Sequence, residues 1–295
     1  MRLTAEQKER YAKRVAISNA ICQVPLEFQQ RQHHHYPPDN KEEFERWFFE
    51  NIKPEELFEK ERTYLPIFWT AYWCNNGYGR KTGANKRLQH FVNLLPRNKK
   101  YFTICQYDDG CMVDFKDLDI KIFGMSGGRI DYPIPLLCQP HKYEFPGIKK
   151  DIFCSFVGAD THPIRRELVK QFEGQKDCLV TFKKTSLEEY CKIMSRSVFA
   201  LCPRGYGASS FRIQEAISYD AVPVYVTKEN VVLPYNIDFY SYGSIVPSCD
   251  IDKLIPHLLG ISASAFKLRD LQMGIQQIKS LFTYEGCKQK ILENI

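Results

Sequence analysis

No stretch of this chain approaches the roughly 18 consecutive apolar residues that a membrane-spanning helix needs, so no integral membrane segment is expected. The first ten residues, Met1 to Arg10, are charged and carry no apolar core followed by small residues, which argues against a secretory signal. The expected compartment is therefore the cytoplasm. The 11 cysteines are odd in number, contain no C-x-x-C pair and show no zinc-type spacing. Without an export signal they read as reduced thiols, some of them small apolar packing residues such as Cys154 and Cys202. Repeats and low-complexity tracts are missing, which excludes a solenoid. An excess of one charge is nearly missing too: 41 Lys and Arg stand against 35 Asp and Glu, a net charge of +6 with acidic residues interspersed throughout. A nucleic-acid binder concentrates such a surplus on one face or arm, so nucleic acid is not the expected partner, and a small anionic substrate suits the balance better.

What is present is ordinary globular composition, 44% hydrophobic and 26% charged, which rules out long disorder. The 295 residues are enough for two domains of about 100–150 residues each. Lys41 to Lys60 has Phe44, Trp47, Phe48 and Ile52 at helical spacing. The aromatic and β-branched run Tyr64 to Thr70 reads as a strand, Asn75 to Gly79 as a turn, and Asn85 to Leu95 as a helix stopped by Pro96. Lys100 to Gln106 and Asp119 to Phe123 read as further strands, the latter running into Gly124-Met-Ser-Gly-Gly128. Gln139 to Gly147, with two prolines and a glycine, reads as a linker. The alternation then resumes. Strands are expected at Asp151–Val157, Cys178–Phe182, Val198–Cys202 and Ala221–Val226. Helices are expected at Pro163–Phe172, from the capping box Ser186 to Glu189 onward, at Ser209–Tyr219, and near 251–259 and 263–282. Strands alternating with helices make a parallel α/β sheet. The expectation is two Rossmann-like domains, residues 1–145 and 146–295, facing a cleft, with ligands at the C-terminal ends of the strands.

One segment stands out, Val198-Phe-Ala-Leu-Cys-Pro-Arg-Gly-Tyr-Gly-Ala-Ser-Ser-Phe-Arg-Ile-Gln-Glu215-Ala-Ile-Ser-Tyr-Asp-Ala-Val-Pro-Val224. A buried strand runs through Pro203 into a glycine-containing loop and then a serine-capped helix. Gly205 and Gly207 allow backbone to approach a ligand closely. A helix N-terminus offers unpaired N–H groups and the positive end of a dipole, a ready site for a diphosphate. Arg204 and Arg212 add charge-assisted donors, and the two oxygens of Glu215, one turn along, suit the two hydroxyls of a ribose. The plainer alternatives are that Ser209 or Ser210 only caps the helix and that Arg212 and Glu215, spaced i,i+3, only pair on the surface. Two metal readings are also open: the run His33-His34-His35, which reads as an unspecific loop, and the Asp117-Leu-Asp119 string, which reads as a charged turn before a strand. No metal site is assigned to either.

The segment resembles the donor-binding motif of the exostosin-like glycosyltransferases: Pro203-Arg204-Gly205, then Ser210-Phe-Arg212, then Glu215-Ala216, then Pro223-Val224. Leu233-Pro-Tyr-Asn-Ile-Asp-Phe239 resembles that family's Leu-Pro-Phe…Asp-Trp segment. Phe156-Val-Gly158 with Arg165 resembles its Phe-Arg-Gly…Arg element, Val157 standing in place of an arginine. The resemblance covers roughly residues 150–260 and is closest to the shorter, soluble viral and bacterial members, for which the compartment would be cytoplasm (host cytoplasm for a virus). It implies a GT-B fold, an inverting transfer from a UDP-sugar to a hydroxyl of an oligosaccharide or glycoprotein glycan, and no metal or other cofactor. Arg165, Pro203, Arg204, Gly205, Ser209, Ser210 and Arg212 would then bind the donor, with Glu215 on its ribose. In the N-terminal half, Gln106-Tyr-Asp-Asp-Gly110 resembles the family's His-Asp-aromatic-Gly strand end, which would make Asp108 the catalytic base, although an Asp-Asp-Gly turn also ends strands for no other reason. Tyr72, Trp73, Asn75, Asn76 and Asp109 are the residues expected to bind the acceptor. No extra fixed positive charge demands a uronate, so a neutral sugar, xylose, is expected. A non-catalytic sugar- or nucleotide-binding module on the same fold is the alternative.

Overall fold

A computed structural model describes residues 5–31, 42–125, 127–228 and 232–295. The His33-His34-His35 run lies outside them. The chain divides into two compact units, 1–134 together with 287–295, and 135–286. The boundary falls ahead of the expected 145/146 because the segment read as a linker packs on the second unit: the Tyr219 hydroxyl donates to the carbonyl of Tyr143 at 2.9 Å, and Cys138 Sγ meets Gln214 Oε1 at 3.0 Å.

In the first unit, α1 (Ala5–Ala20) and α2 (Phe44–Asn51) precede a four-stranded parallel sheet in the order β1 (Thr63–Tyr64), β2 (Tyr101–Cys105), β3 (Ile120–Gly124), β4 (Tyr132–Pro133). Helices α3 (Trp69–Asn75) and α4 (Ala84–Asn93) lie between β1 and β2 in sequence. Of the expected strand over Tyr64–Thr70 only Tyr64 lies in β1; residues 65–68 form no element, and Trp69 and Thr70 begin a helix. Pro66 has no N–H for a ladder, and from Trp69 onward the apolar residues Trp69, Tyr72 and Trp73 recur at i, i+3 and i+4, which makes one helical face. All three are buried in the core with Leu88, Tyr101 and Phe115. Tyr64 and Phe102 stack at 4.9 Å between ring centroids, and Phe48 meets Tyr64 edge-on at 5.2 Å.

The second unit holds β5 (Ile152–Val157), α5 (Pro163–Gln171), β6 (Cys178–Thr181), α6 (Leu187–Arg196), β7 (Ser197–Pro203), α7 (Phe211–Ser218), β8 (Val222–Thr227), β9 (Ser244–Pro247), α8 (Leu254–Ala263) and α9 (Ala265–Ile278). Its five strands are parallel in the order β6-β5-β7-β8-β9. The central strands β7 and β8 are buried on both faces and read as continuous apolar runs, as parallel strands between helical layers do. The cap of α6 forms as expected, Ser186 Oγ accepting from the Glu189 N–H at 3.1 Å. The last helix, α10 (Tyr284–Leu292), leads back to the first unit, where Lys288 Nζ donates to the Asn51 carbonyl at 2.9 Å and Lys121 Nζ to that of Asn294 at 2.7 Å.

One close approach fixes α9 in the second unit. A Cβ at Gly274 would lie 1.9 Å from the carbonyl oxygen of Ser241 and 2.9 Å from its carbonyl carbon. Gly274→Ala therefore requires backbone to move. It should destabilise the chain by about 1–3 kcal/mol, the usual range for overpacking, and lower its thermal unfolding midpoint, whereas Gly260→Ala, at a position with nothing within 4 Å, should leave the midpoint within a degree or two or raise it.

Candidate functional site

The strand order places one crevice in the second unit. From β5 the chain passes through α5 to β6 on one side, then returns through α6 to β7 on the other side. Order reverses between β5 and β7, and open α/β sheets bind ligands at the C-terminal ends of such a strand pair. Those ends are Val157-Gly158 and Pro203-Arg204. Gly158 has no Cβ because none fits: it would lie 2.9 Å from Phe156 Cζ and 3.0 Å from Arg212 Nη2.

The loop after β7 is held from beneath by Arg165 of α5, which is 5% exposed. Arg165 Nε donates to the carbonyl of Arg204 at 3.0 Å, Nη1 to that of Ala159 at 3.0 Å and Nη2 to that of Pro203 at 3.5 Å. A Cβ on Gly205 would meet Arg165 Nη2 at 3.0 Å. Arg165 thus anchors the Pro203-Arg204-Gly205 loop, its guanidinium facing backbone carbonyls of the chain itself. The Tyr225 hydroxyl donates to the carbonyl of Ala208 further along the same loop. Arg204, half-buried, turns Nη2 onto the carbonyl of Tyr206 at 2.9 Å.

Helix α7 begins two residues later than expected, at Phe211, because Ser210 is the N-cap, its Oγ accepting from the Arg212 N–H at 3.4 Å. Ser209, just ahead of it, is buried. Arg212 lies in the first turn. Its Nη2 donates to the carbonyl of Val157 at 2.6 Å, and its guanidinium carbon stands 4.6 Å from the centre of the Phe156 ring and 5.9 Å from that of Tyr190. Cation–π contacts of this kind hold a guanidinium flat between rings. Arg212 Nε is buried with no hydrogen-bond partner among the described residues. A permanently charged fork with a free buried donor, beside a helix N-terminus, is suited to an anion.

Glu215 follows one turn along α7 and does not pair with Arg212 on the surface. It is 8% exposed, its Oε1 2.8 Å from His141 Nε2 and its Oε2 accepting from the Tyr190 hydroxyl at 2.7 Å. Burial pushes its carboxyl up, but the His141 hydrogen bond and the Arg212 charge outweigh this and hold it below its ordinary value, so Glu215 is an anion at neutral pH. Burial, and then the Glu215 charge, push the Tyr190 hydroxyl well above its ordinary value, so it remains a donor. His141 and Tyr190 are the members of this cluster that sequence reasoning missed. His141 sits in the Pro- and Gly-containing segment that reads as a linker, and Tyr190 reads as one more residue of α6.

In the first unit, β2 ends in the turn Tyr107–Gly110, closed by the Gly110 N–H on the carbonyl of Tyr107 at 2.9 Å. Asp108 is half-buried and Asp109 exposed on that turn. Tyr72 and Trp73 do not offer a surface to an acceptor: both are buried in α3, the Tyr72 hydroxyl donating to the Ala84 carbonyl at 2.7 Å and Trp73 Nε1 to that of Cys111 at 3.2 Å. Asn75 and Asn76, at the end of the same helix, turn their amides onto the carbonyls of Arg31 at 2.8 Å and Tyr72 at 2.9 Å. Asp119 accepts from Arg62 at 2.6 Å and Asp117 lies 3.9 Å from Arg97. Both precede β3 and so lie at the opposite end of the sheet from Asp108.

A family model described as the Exostosin GT47 domain matches residues 79–259. A ribitol-5-phosphate xylosyltransferase 1 of Danio rerio is 33% identical over 175 residues, 55% of this chain and 36% of its own length. A probable glycosyltransferase of Arabidopsis thaliana, At3g07620, is 30% identical over 143 residues, 48% of this chain and 28% of its own length. The chain therefore spans only about a third of the length of these relatives. Among solved structures, one titled "Crystal Structure of TarM" aligns with 72% of this chain and 46% of its own at 9% identity and a TM-score of 0.41. With a family model matching more than half of its residues, including the whole β5–β9 sheet and α7, the chain belongs to the exostosin GT47 family of glycosyltransferases.

Proposed function

We propose that this chain is an inverting, metal-independent glycosyltransferase of GT-B type that moves a sugar from a UDP-sugar, UDP-xylose in the first instance, to a hydroxyl of a glycan. The observation that carries this reading is Arg212, whose guanidinium is fixed at the β5/β7 reversal with a buried donor that has no partner among the described residues. In this reading the diphosphate lies against Arg212 and the N-terminus of α7. Its leaving-group charge is met by the guanidinium and the helix dipole in the role that a cation has elsewhere. Glu215 takes the ribose hydroxyls on the lone pairs that His141 and Tyr190 leave open, since each carboxylate oxygen accepts more than one bond. The choice of xylose follows the activity for which the Danio rerio relative is named and the lack of an extra fixed charge for a uronate.

The chemical step needs one base. Asp108 takes the proton of the acceptor hydroxyl as its oxygen forms a bond to the anomeric carbon. The bond from that carbon to the diphosphate oxygen breaks on the opposite face, UDP leaves, and the configuration inverts. The carboxylate stands at the C-terminal end of a parallel strand, the edge where such sheets place their chemistry.

Three outcomes are expected. Arg212→Ala should weaken UDP binding by roughly 1.5–3 kcal/mol, the range for a charged hydrogen bond, in a chain that still folds; calorimetry showing wild-type affinity would remove the site. Sugar transfer should continue in EDTA, and activity that vanishes with chelator and returns with Mn²⁺ would contradict the metal-free step. Asp108→Asn should lower single-turnover transfer by about 10² or more with UDP affinity retained, while Asp109→Asn costs less. A normal rate for Asp108→Asn beside a dead Asp109→Asn would move the base by one residue.

A further inference from the structure

The first unit buries an acid that its hydrophobic core does not call for. Glu45 lies on α2 between the core residues Phe44 and Phe48 and is 1% exposed. Its Oε1 accepts from the N–H of Gln106 at 2.7 Å and from Thr70 Oγ1 at 2.8 Å, and its Oε2 accepts from the N–H of Thr70 at 3.0 Å. Burial pushes the carboxyl up to about 8, against three donors that favour its charged form. An enclosed acid of this kind costs stability that an apolar residue of similar volume would not, and at 1% exposure it reaches no substrate.

Its partners are informative. Thr70 is in the first turn of α3, a helix whose own N-cap residue, Phe68, supplies no side-chain cap. Gln106 is the first residue past β2 and leads directly into the Tyr107–Gly110 turn. One carboxyl group therefore ties the start of α3 to the point where β2 becomes the turn that carries Asp108. That turn is clamped again on its far side. The Gly127 N–H donates to the Asp108 carbonyl at 2.6 Å, and Trp73 of α3 donates to the Cys111 carbonyl at 3.2 Å. There is no slack between the two loops: a Cβ on Gly110 would lie 2.4 Å from the Gly127 carbonyl oxygen, and one on Gly127 2.7 Å from that of Asp108. Backbone on both sides of Asp108 is thus fixed, with the Glu45 carboxyl group among these clamps.

We infer that Glu45 is a positioning residue for Asp108: by holding the backbone at Gln106 it sets the direction in which the Asp108 carboxylate leaves the turn. The inference rests on the reading of Asp108 as the base. Both Glu45 oxygens face backbone N–H groups, so Glu45→Gln, which replaces one acceptor oxygen by an NH₂ group, retains at most one of the two tethers.

The test is a double-mutant cycle over wild type, E45Q, D108N and the pair. It reads single-turnover release of UDP from UDP-xylose with a mixed glycan acceptor, UDP affinity, and amide hydrogen exchange over residues 106–110. E45Q should lower turnover by roughly tenfold or more, the scale on which a misplaced catalytic group loses rate. UDP affinity should stay within about twofold, and exchange at 106–110 should quicken. In the D108N background E45Q should cost nothing further, because the two act as one unit. An equal loss in both backgrounds would show that Glu45 acts otherwise and would overturn the inference. A dead D108N beside a fully active E45Q would overturn it while leaving the base reading intact, whereas a fully active D108N would overturn both. If E45Q does not fold, Thr70→Val, which removes only the hydroxyl contact, takes its place in the same cycle, with a smaller loss expected in the wild-type background and none in D108N.

Discussion

The crevice of the second unit depends on how close the Arg212 guanidinium comes to the C-terminal end of β5. Nη2 reaches the Val157 carbonyl at 2.6 Å, and this is possible only because residue 158 has no side chain, a Cβ there falling 3.0 Å from the same nitrogen. The approach joins the first turn of α7 to a strand two positions earlier in the chain's winding, across the point where strand order reverses. The Phe156 and Tyr190 rings and the Glu215 carboxylate then stand around the guanidinium. Burial disfavours its charge, the Tyr190 and Glu215 interactions favour it, and the balance keeps it charged. A fixed cation at a strand-end crevice is suited to an anionic group.

Division of labour within the β7–α7 segment follows from the same geometry. Of its two neighbouring arginines, Arg165 lies under the loop and is satisfied by three backbone carbonyls, so it shapes the loop. Arg212 keeps an Nε without a hydrogen-bond partner among the described residues, which leaves it capacity for a ligand. A carboxylate with both oxygens already engaged, as in Glu215, is held in one orientation by His141 and Tyr190. That restraint removes side-chain freedom in advance and so lowers the ordering cost of any contact the carboxylate makes.

Much of the second unit was legible because its signals are local. Val198–Cys202 and Ala221–Val226 are continuous β-branched and apolar runs. Ser186 and Glu189 announce a helix start, and Ser210 caps the helix that carries Arg212. The first unit was less legible where the local signal was ambiguous. Tyr64 to Thr70 is uniformly apolar and aromatic, so period could not separate strand from helix, and Pro66 together with the i, i+3, i+4 burial of Trp69, Tyr72 and Trp73 decided for helix. That outcome also removed two aromatic residues from the expected acceptor surface. His141 and Glu45 were hidden for a different reason: each acquires its role from a partner 74 or 61 residues away, a contact that no window of sequence contains. β9 and α10 escaped notice because Ser244–Pro247 is only four residues long and Tyr284–Leu292 is weakly amphipathic.

The central claim is that a nucleoside diphosphate binds within the second unit, at the β5/β7 reversal. A crystal structure of the chain with UDP bound tests it most directly. The account predicts diphosphate oxygens within hydrogen-bonding distance of the Arg212 guanidinium and of the backbone N–H groups that open α7, with the ribose on Glu215 between His141 and Tyr190. A UDP molecule found away from Gly158 and Arg212, with the Arg212 contacts to Val157 and Phe156 unaccompanied by any phosphate, would contradict it.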